Sequence, residues 1–145
     1  MKWIKSYKLF ESKFEDDFKE QYERIKPEIN EILLPIEDTI GYSIYDYIDD
    51  NIGEITFEIQ NVTENFDGGA LNVSKKFFNW SDIKDEILHL SSFMESEDMN
   101  ISLVEIQQFI DGEFKNNSFY DGSELGEFEN NLRLTKFEIT FCKTN

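Results

Sequence analysis

One pattern restricts the fold of this chain more than any other: a strict polar-apolar alternation that occurs twice. Glu54-Ile55-Thr56-Phe57-Glu58-Ile59-Gln60 changes character at every step, which is the period of a half-buried strand and not of a helix. Ile55, Phe57 and Ile59 then face a core while Glu54, Thr56, Glu58 and Gln60 face water, the signature of an antiparallel sheet with one wet face. Lys136-Phe137-Glu138-Ile139 aligns with Thr56-Phe57-Glu58-Ile59, and Phe137, Ile139 and Phe141 share one face of a strand over 133–142.

Each alternating strand is preceded by another strand and, before that, by a helix. Gly41-Tyr42-Ser43-Ile44-Tyr45-Asp46-Tyr47-Ile48 is aromatic and β-branched and leads into the polar turn Asp49-Asp50-Asn51-Ile52-Gly53, so a hairpin is expected. Residues 100–110 form the corresponding strand of the second half, with a phase change between Leu103 and Val104 that suggests a bulge or burial on both faces. Helical spacing places Trp80, Ile83, Ile87, Leu90 and Met94 on one stripe of a helix capped by Ser81 and running to about Ser96. In the first half Phe14, Phe18, Tyr22 and Ile25 make a similar stripe. Pro27 then predicts a break near Lys26 and a second helix from about Pro27 to Asp38, with Ile29, Ile32, Leu33 and Ile36 inward and a kink or stop at Pro35.

Ile25-Lys26-Pro27-Glu28-Ile29 aligns with Ile83-Lys84-Asp85-Glu86-Ile87, in the same order relative to the strands, so the unit α-β-β is read twice. The expected fold is α+β: a four- to five-stranded, mostly antiparallel sheet with helices on one face, preceded by an N-terminal helical extension. Residues 1–26 form that basic, amphipathic extension. Residues 27–145 form one acidic domain with halves 27–60 and 81–145. The polar segment from Asn61 to Asn79 is expected to loop, and 111–131, with Asp111-Gly112, Asp121-Gly122 and Gly126, to be an extra hairpin or a mobile loop. Residues 133–142 are a candidate edge strand for pairing with a second copy, and the oligomeric state is otherwise open.

A chain of 145 residues buries roughly 68–70% of its unfolded surface in one core. The 14 Phe make that core aromatic, with no need of a disulfide or a metal. A single cysteine, Cys142, rules out an internal disulfide and favours a reducing compartment. The longest uncharged apolar run, Ile32-Leu33-Leu34-Pro35-Ile36, is too short to span a bilayer. The Lys-studded N-terminus lacks an apolar signal core, so secretion is not expected.

Charge is unevenly distributed. The net charge is −17; residues 1–26 hold seven bases and six acids, and residues 27–74 hold eleven acids and no base. Such a field opposes direct contact with nucleic-acid phosphates, which takes Lys and Arg, and suits a basic protein surface as partner. DNA carries about one negative charge per 1.7 Å of axis, and residues 27–74 and 85–132 together supply 23 acids against one Lys. Two readings follow: the acids imitate DNA phosphates, or they keep the chain soluble. Aligned rows of carboxylates favour the first and scattered ones the second. The residues best placed for rows are the outward acids of the first sheet unit, Asp46, Asp49, Asp50, Glu54 and Glu58.

Nothing in the sequence marks a catalytic residue, a metal site or a cofactor. His89 is the one histidine, at helical spacing from Asp85 and Glu86, and a partly exposed His beside a carboxylate is the expectation. Cys142 shares a strand face with Glu138 and Thr140 and reads as an inert thiol. Asp49, Asn51 and Glu54 are oxygen ligands at short spacing, but Gly53 is one place early and Gln60 stands where an EF-hand has Glu. A charged hairpin turn is expected there. No enzymatic activity is expected.

The opening Lys5-Ser6-Tyr7-Lys8-Leu9-Phe10-Glu11-Ser12 resembles that of small accessory proteins of large tailed bacteriophages, a group that Trp80-Ser81-Asp82-Ile83-Lys84-Asp85 and Phe137-Glu138-Ile139 also fit. The same tail resembles phage capsid-targeting peptides, with Lys5, Ser6, Tyr7 and Phe10 matching their core. Leu9-Phe10-Glu11 is similar to the sites where prohead proteases cut. The core starts three residues late, and bulky Phe10 stands where a small residue is usual. The resemblance implies the cytoplasm of a bacterial host, or the virion. The acidic composition leads to one expected role, a protein-binding accessory protein, in its sharper form a DNA-mimic inhibitor of a host nucleic-acid-binding protein; the resemblance to capsid-targeting peptides implies the alternative, head cargo whose targeting peptide includes Lys5, Tyr7, Phe10 and Glu11.

Overall fold

The structure is a computed structural model. It describes the backbone of residues 2–114 and 117–144, and side chains at 17–38, 40–62, 68–71, 76–108, 110–113 and 117–144. Helix α1 covers Lys2–Pro35 and ends in a wider turn, Ile36–Ile40. Strands β1 (Ser43–Asp49), β2 (Glu54–Asp67), β3 (Ala70–Lys76) and β4 (Phe78–Asn79) follow, then helix α2 (Trp80–Ser96). Strands β5 (Met99–Ile110), β6 (Glu113–Phe114) and β7 (Ser118–Tyr120), a 3-10 helix at Gly122–Glu127 and strand β8 (Arg133–Lys143) complete the chain.

The fold is α+β, as expected, and every strand pairing is antiparallel, with the order β1-β2-β8-β5-β6 along the main path. The repeat acquires a geometric meaning at its centre. Phe57 stands opposite Ile139, Glu58 opposite Glu138 and Ile59 opposite Phe137, so the two aligned strands pair about an approximate dyad through Glu58 and Glu138. The outer strands obey the same relation, since Tyr45 stands opposite Glu58 as Glu105 stands opposite Glu138. Strand β8 is therefore central, flanked by β2 and β5. This corrects the expectation that 133–142 lies at an edge: the inward Phe137-Ile139-Phe141 face was legible, but neighbours on both sides are a long-range property.

Both helices lie over the Ile55-Phe57-Ile59 and Phe137-Ile139-Phe141 face and share one core with it. They run antiparallel. Near one end Gln21 Nε2 donates to the Glu97 carbonyl at 2.9 Å and Arg24 bonds the Glu97 carboxylate at 2.7 Å; near the other, Glu28, Glu31 and Pro35 of α1 meet Asp85, Glu86 and His89 of α2 across a groove. The expected break at Lys26 does not occur, because Phe18, Tyr22, Ile25, Ile29, Ile32 and Leu33 are all buried in the same core and hold the helix on both sides of Pro27. The boundary expected between an extension ending at residue 26 and a domain starting at 27 thus falls inside one helix, with core residues on either side. Trp80, Ile83, Ile87, Leu90 and Met94 of α2 are all buried, as their spacing predicts. That helix begins at Trp80 and not after Ser81, with the Asp82 carboxylate accepting from the Asn79 N–H at 3.1 Å.

Two connections gain structure. The segment expected to loop, 61–79, is mostly strand: β2 continues to Asp67, Gly68 and Gly69 turn with φ of 60° and 82°, and β3 returns with Asp67 opposite Ala70. The sequence signal is Asp67-Gly68-Gly69, a two-residue hairpin turn that needs positive φ at both central positions. The insertion 111–131 is the extra hairpin of the two alternatives, with Asp111 and Gly112 at positive φ, followed by β7 and the 3-10 helix. The register of β5 shifts between Ile101 and Leu103, one residue ahead of the expected phase change, and again between Gln107 and Gln108.

Candidate functional site

The helices cover one face of the sheet, and the side chains pointing the other way make an open face. Across its middle, Tyr45, Glu58, Glu138 and Glu105 stand opposite one another on β1, β2, β8 and β5, and Phe119 of β7 follows Glu105. Neighbouring strands are ~4.8 Å apart, so three carboxylates sit in a short row. Lys136 lies among them, with Nζ 3.6 Å from Glu105 Oε1 and 3.7 Å from Glu138 Oε2.

The row is partly dehydrated. Burial, then the charge of Glu105, hold the Glu138 carboxyl above its ordinary range, while Lys136 pulls it the other way. Glu58 accepts from the Tyr47 hydroxyl at 3.2 Å and from the Gln60 amide, and its charge is the chief cause holding the Tyr47 hydroxyl above its ordinary range. Asn117 donates to Glu105. The Thr56 and Thr140 hydroxyls meet at 2.9 Å. Exposed apolar groups surround this polar centre: Tyr45, Tyr47, Leu103 and Phe119, the last 62% exposed.

The five acids singled out in the sequence divide between surfaces. Glu58 sits in the central row, and Asp49 and Glu54 stand opposite each other at the hairpin end of the open face. Asp46 points the other way: opposite Phe57, it accepts a hydrogen bond from the Tyr22 hydroxyl and ties β1 to α1. Asp50 is in the turn, where its Oδ1 is buried without a hydrogen-bond partner. Glu138 and Glu105, from the second half, join Glu58 in their place. The signal for Glu138 was present in the repeat, since Glu138 aligns with Glu58; that for Glu105 was obscured by the bulge. Lys5, Tyr7, Phe10 and Glu11 have side chains outside the described residues.

The 49–53 turn is a hairpin turn as expected: the Asn51 N–H donates to Asp49 Oδ1 at 3.1 Å, the Gly53 N–H donates to the Asp49 carbonyl at 2.9 Å, and Gly53 has φ of 68°. Among the described residues no group of three or more His, Cys, Asp or Glu side chains is placed to hold a metal ion. His89 is exposed on α2, beside Asp85 and Glu86 and across the groove from Glu28 and Glu31. Cys142 is half-buried, opposite Glu54 and Asn100 on its two neighbouring strands. Among the described residues no helix is long and apolar enough to cross a membrane.

Among the described residues the open face presents carboxylates, phenols, amides, the Thr56 and Thr140 hydroxyls and the Lys136 ammonium, groups suited to electrostatic and aromatic contact. Comparison with protein families, with curated proteins and with solved structures finds no match to this chain.

Proposed function

We propose that this chain is a non-enzymatic accessory protein that acts by protein–protein contact, offering its acidic open face to a basic protein surface. The observation that carries the reading is the row Glu58-Glu138-Glu105, three carboxylates on adjacent strands with Lys136 as the cation among them. Tyr45, Tyr47 and Phe119 beside the row add the aromatic groups that protein interfaces favour. In its finer form the reading is DNA mimicry, with the row and the nearby Asp49 and Glu54 standing in for phosphates and a bacterial nucleic-acid-binding protein as the target. The phage-like opening of the sequence supplies that setting.

Capture from a bacterial lysate at low and then high salt tests it. A nuclease, polymerase subunit or nucleoid protein held at low salt and released at high salt is the expected result. Replacing Asp49, Glu54, Glu58, Glu105 and Glu138 by Asn or Gln should abolish that capture, and unchanged capture rejects the assignment.

A further inference from the structure

The first strand of the sheet carries a second recognition feature, its free edge, which adjoins the open face. Strand β1 ends the sheet: it pairs with β2 without interruption from Ser43 opposite Gln60 to Asp49 opposite Glu54, and its other side has no partner among the described residues. An unpaired edge offers a row of backbone N–H and C=O groups, and proteins usually blunt such edges with Lys, Pro or a bulge. Ser43-Ile44-Tyr45-Asp46-Tyr47-Ile48-Asp49 has no Lys, Pro or bulge, and its only charges, Asp46 and Asp49, are acidic, so they guard the edge against another acidic strand and leave it open to a basic one.

The approximate dyad indicates what such an edge accepts. The strand equivalent to β1 is β5, and its outer side is occupied by an extended segment, with Val104 opposite Tyr120, Glu105 opposite Phe119 and Ile106 opposite Ser118. The places on β1 corresponding to 104–106 are Ile44, Tyr45 and Asp46, and they are vacant of any such strand among the described residues.

Beside this edge, on the helix side, lies a cleft of about 290 Å³ lined by Asn30, Leu33, Leu34, Glu37, Ile44 and Asp46. A strand added to β1 would send alternate side chains into that cleft and the intervening ones over Tyr45 and Tyr47. The cleft has apolar walls and two carboxylates. That combination suits a Lys or Arg, whose stem lies on Leu33, Leu34 and Ile44 while its head reaches Glu37 and Asp46. The exposed Tyr45 and Tyr47 suit an aromatic or long apolar side chain.

We infer that the free edge of β1 binds an extended segment of a partner protein by antiparallel strand addition, the segment alternating basic with aromatic or apolar residues. A second copy of this chain fits poorly, because its edge would bring Asp46 and Asp49 against their own kind on two chains of net charge −17. The inference rests on the reading of an acidic protein that meets a basic partner; it shares Tyr45 and Tyr47 with the open face but none of the carboxylates Glu58, Glu138 and Glu105.

A peptide of four Lys-Phe repeats is the probe, and backbone amide exchange followed by NMR is the readout. Bound peptide should slow exchange at alternate amides within 43–49. The same peptide N-methylated at alternate amides keeps its charge and loses its strand edge, and it should give no such protection. Leu34→Lys and, separately, Glu37→Lys, both at exposed positions, should weaken binding by about tenfold or more through repulsion in the cleft. Glu105→Gln with Glu138→Gln, on strands that do not border β1, should leave it unchanged, so failure of the open-face reading and failure of this one are separable. Protection absent from 43–49, or equal with the methylated peptide, overturns the inference. Protection of 43–49 without peptide, rising with protein concentration, makes a second copy the occupant and overturns it equally.

Discussion

Strands β1 and β5 occupy equivalent places on either side of the inner pair β2 and β8, yet β5 is paired on its far side by β7 while β1 ends the sheet. The same asymmetry runs through the layer beneath. In the second half the core residue Phe137 is packed against Trp80, ring centroids 5.2 Å apart, and Trp80 in turn meets Phe128 edge-on at 5.5 Å. In the first half the equivalent Phe57 meets Phe141 edge-on at 6.2 Å and also borders the cleft beside β1. One unit, used twice, has been closed in the second half by the insertion 111–131 and left open in the first. The two copies of the unit therefore share their register about Glu58 and Glu138, where inward residues of both face one core, and differ in the outer strands, where β5 carries two register shifts and β1 none.

The largest expected effect follows from that contrast. Phe137→Ala empties a fully enclosed site and should destabilise the fold by about 3–5 kcal/mol in urea unfolding. Phe57→Ala, at a residue that is also buried but lines the open cleft beside β1, should give a smaller loss, because part of the vacated space opens into the cleft. Equal losses would mean that the two halves are packed alike and that the cleft is not a real difference between them.

The helices differ in the same direction, and the test there is a gain. Pro27 of α1 aligns with Asp85 of α2, and it lies in mid-helix, exposed, with Ile25 and Ile29 buried on either side. A proline at such a position removes one helical hydrogen bond and crowds the carbonyl four residues earlier. Pro27→Ala should raise stability by about 1–3 kcal/mol, whereas Asp85→Ala at the aligned place should change it by less than about 0.5 kcal/mol, as is usual for an exposed site. No gain from Pro27→Ala would show that the helix is already relaxed around the ring.

What the sequence disclosed depended on the range of the interaction. The alternation of 54–60, the stripe of α2 and the fold class were legible because each follows from periodicity within a short window. No break occurs at Pro27 because the local rule is outweighed by the burial of Phe18, Tyr22 and Ile25, which only the tertiary core makes decisive. The arm formed by β2 and β3 was missed although Asp67-Gly68-Gly69 announces a hairpin turn, since its flanking residues lack a strong apolar alternation. The candidate site was half legible. Glu58, Asp49 and Glu54 share the open face, but Asp46 turns under α1 to meet Tyr22, and the carboxylates that join Glu58 in the row, Glu105 and Glu138, stand on strands far along the chain from β2. The side of the sheet on which a residue of β1 points is set by its register with β2, and a run as uniformly aromatic and polar as 43–49 does not declare its phase.

The smallest expected effect compares the two glutamates that flank the dyad. Glu58 receives two donors, from Tyr47 and Gln60, whereas Glu138 faces Glu105 as well as Lys136. Burial and the neighbouring carboxylates raise the Glu138 carboxyl above its ordinary value of 4.5 in the folded state. A group raised on folding favours the fold below its unfolded value, and that contribution is lost as the pH climbs through the folded one. At neutral pH, ionised Glu138 therefore works against the fold, and Glu138→Gln should shift the urea midpoint upward at pH 7. The gain should fade as the pH is lowered through the carboxylate range, where the wild-type side chain becomes neutral too. Glu58→Gln should show no such gain, since it replaces an acceptor of two hydrogen bonds by a group that is half donor. A pH-independent gain at Glu138, or an equal gain at Glu58, would mean that the central row is solvated throughout and that its two halves do not differ in charge balance.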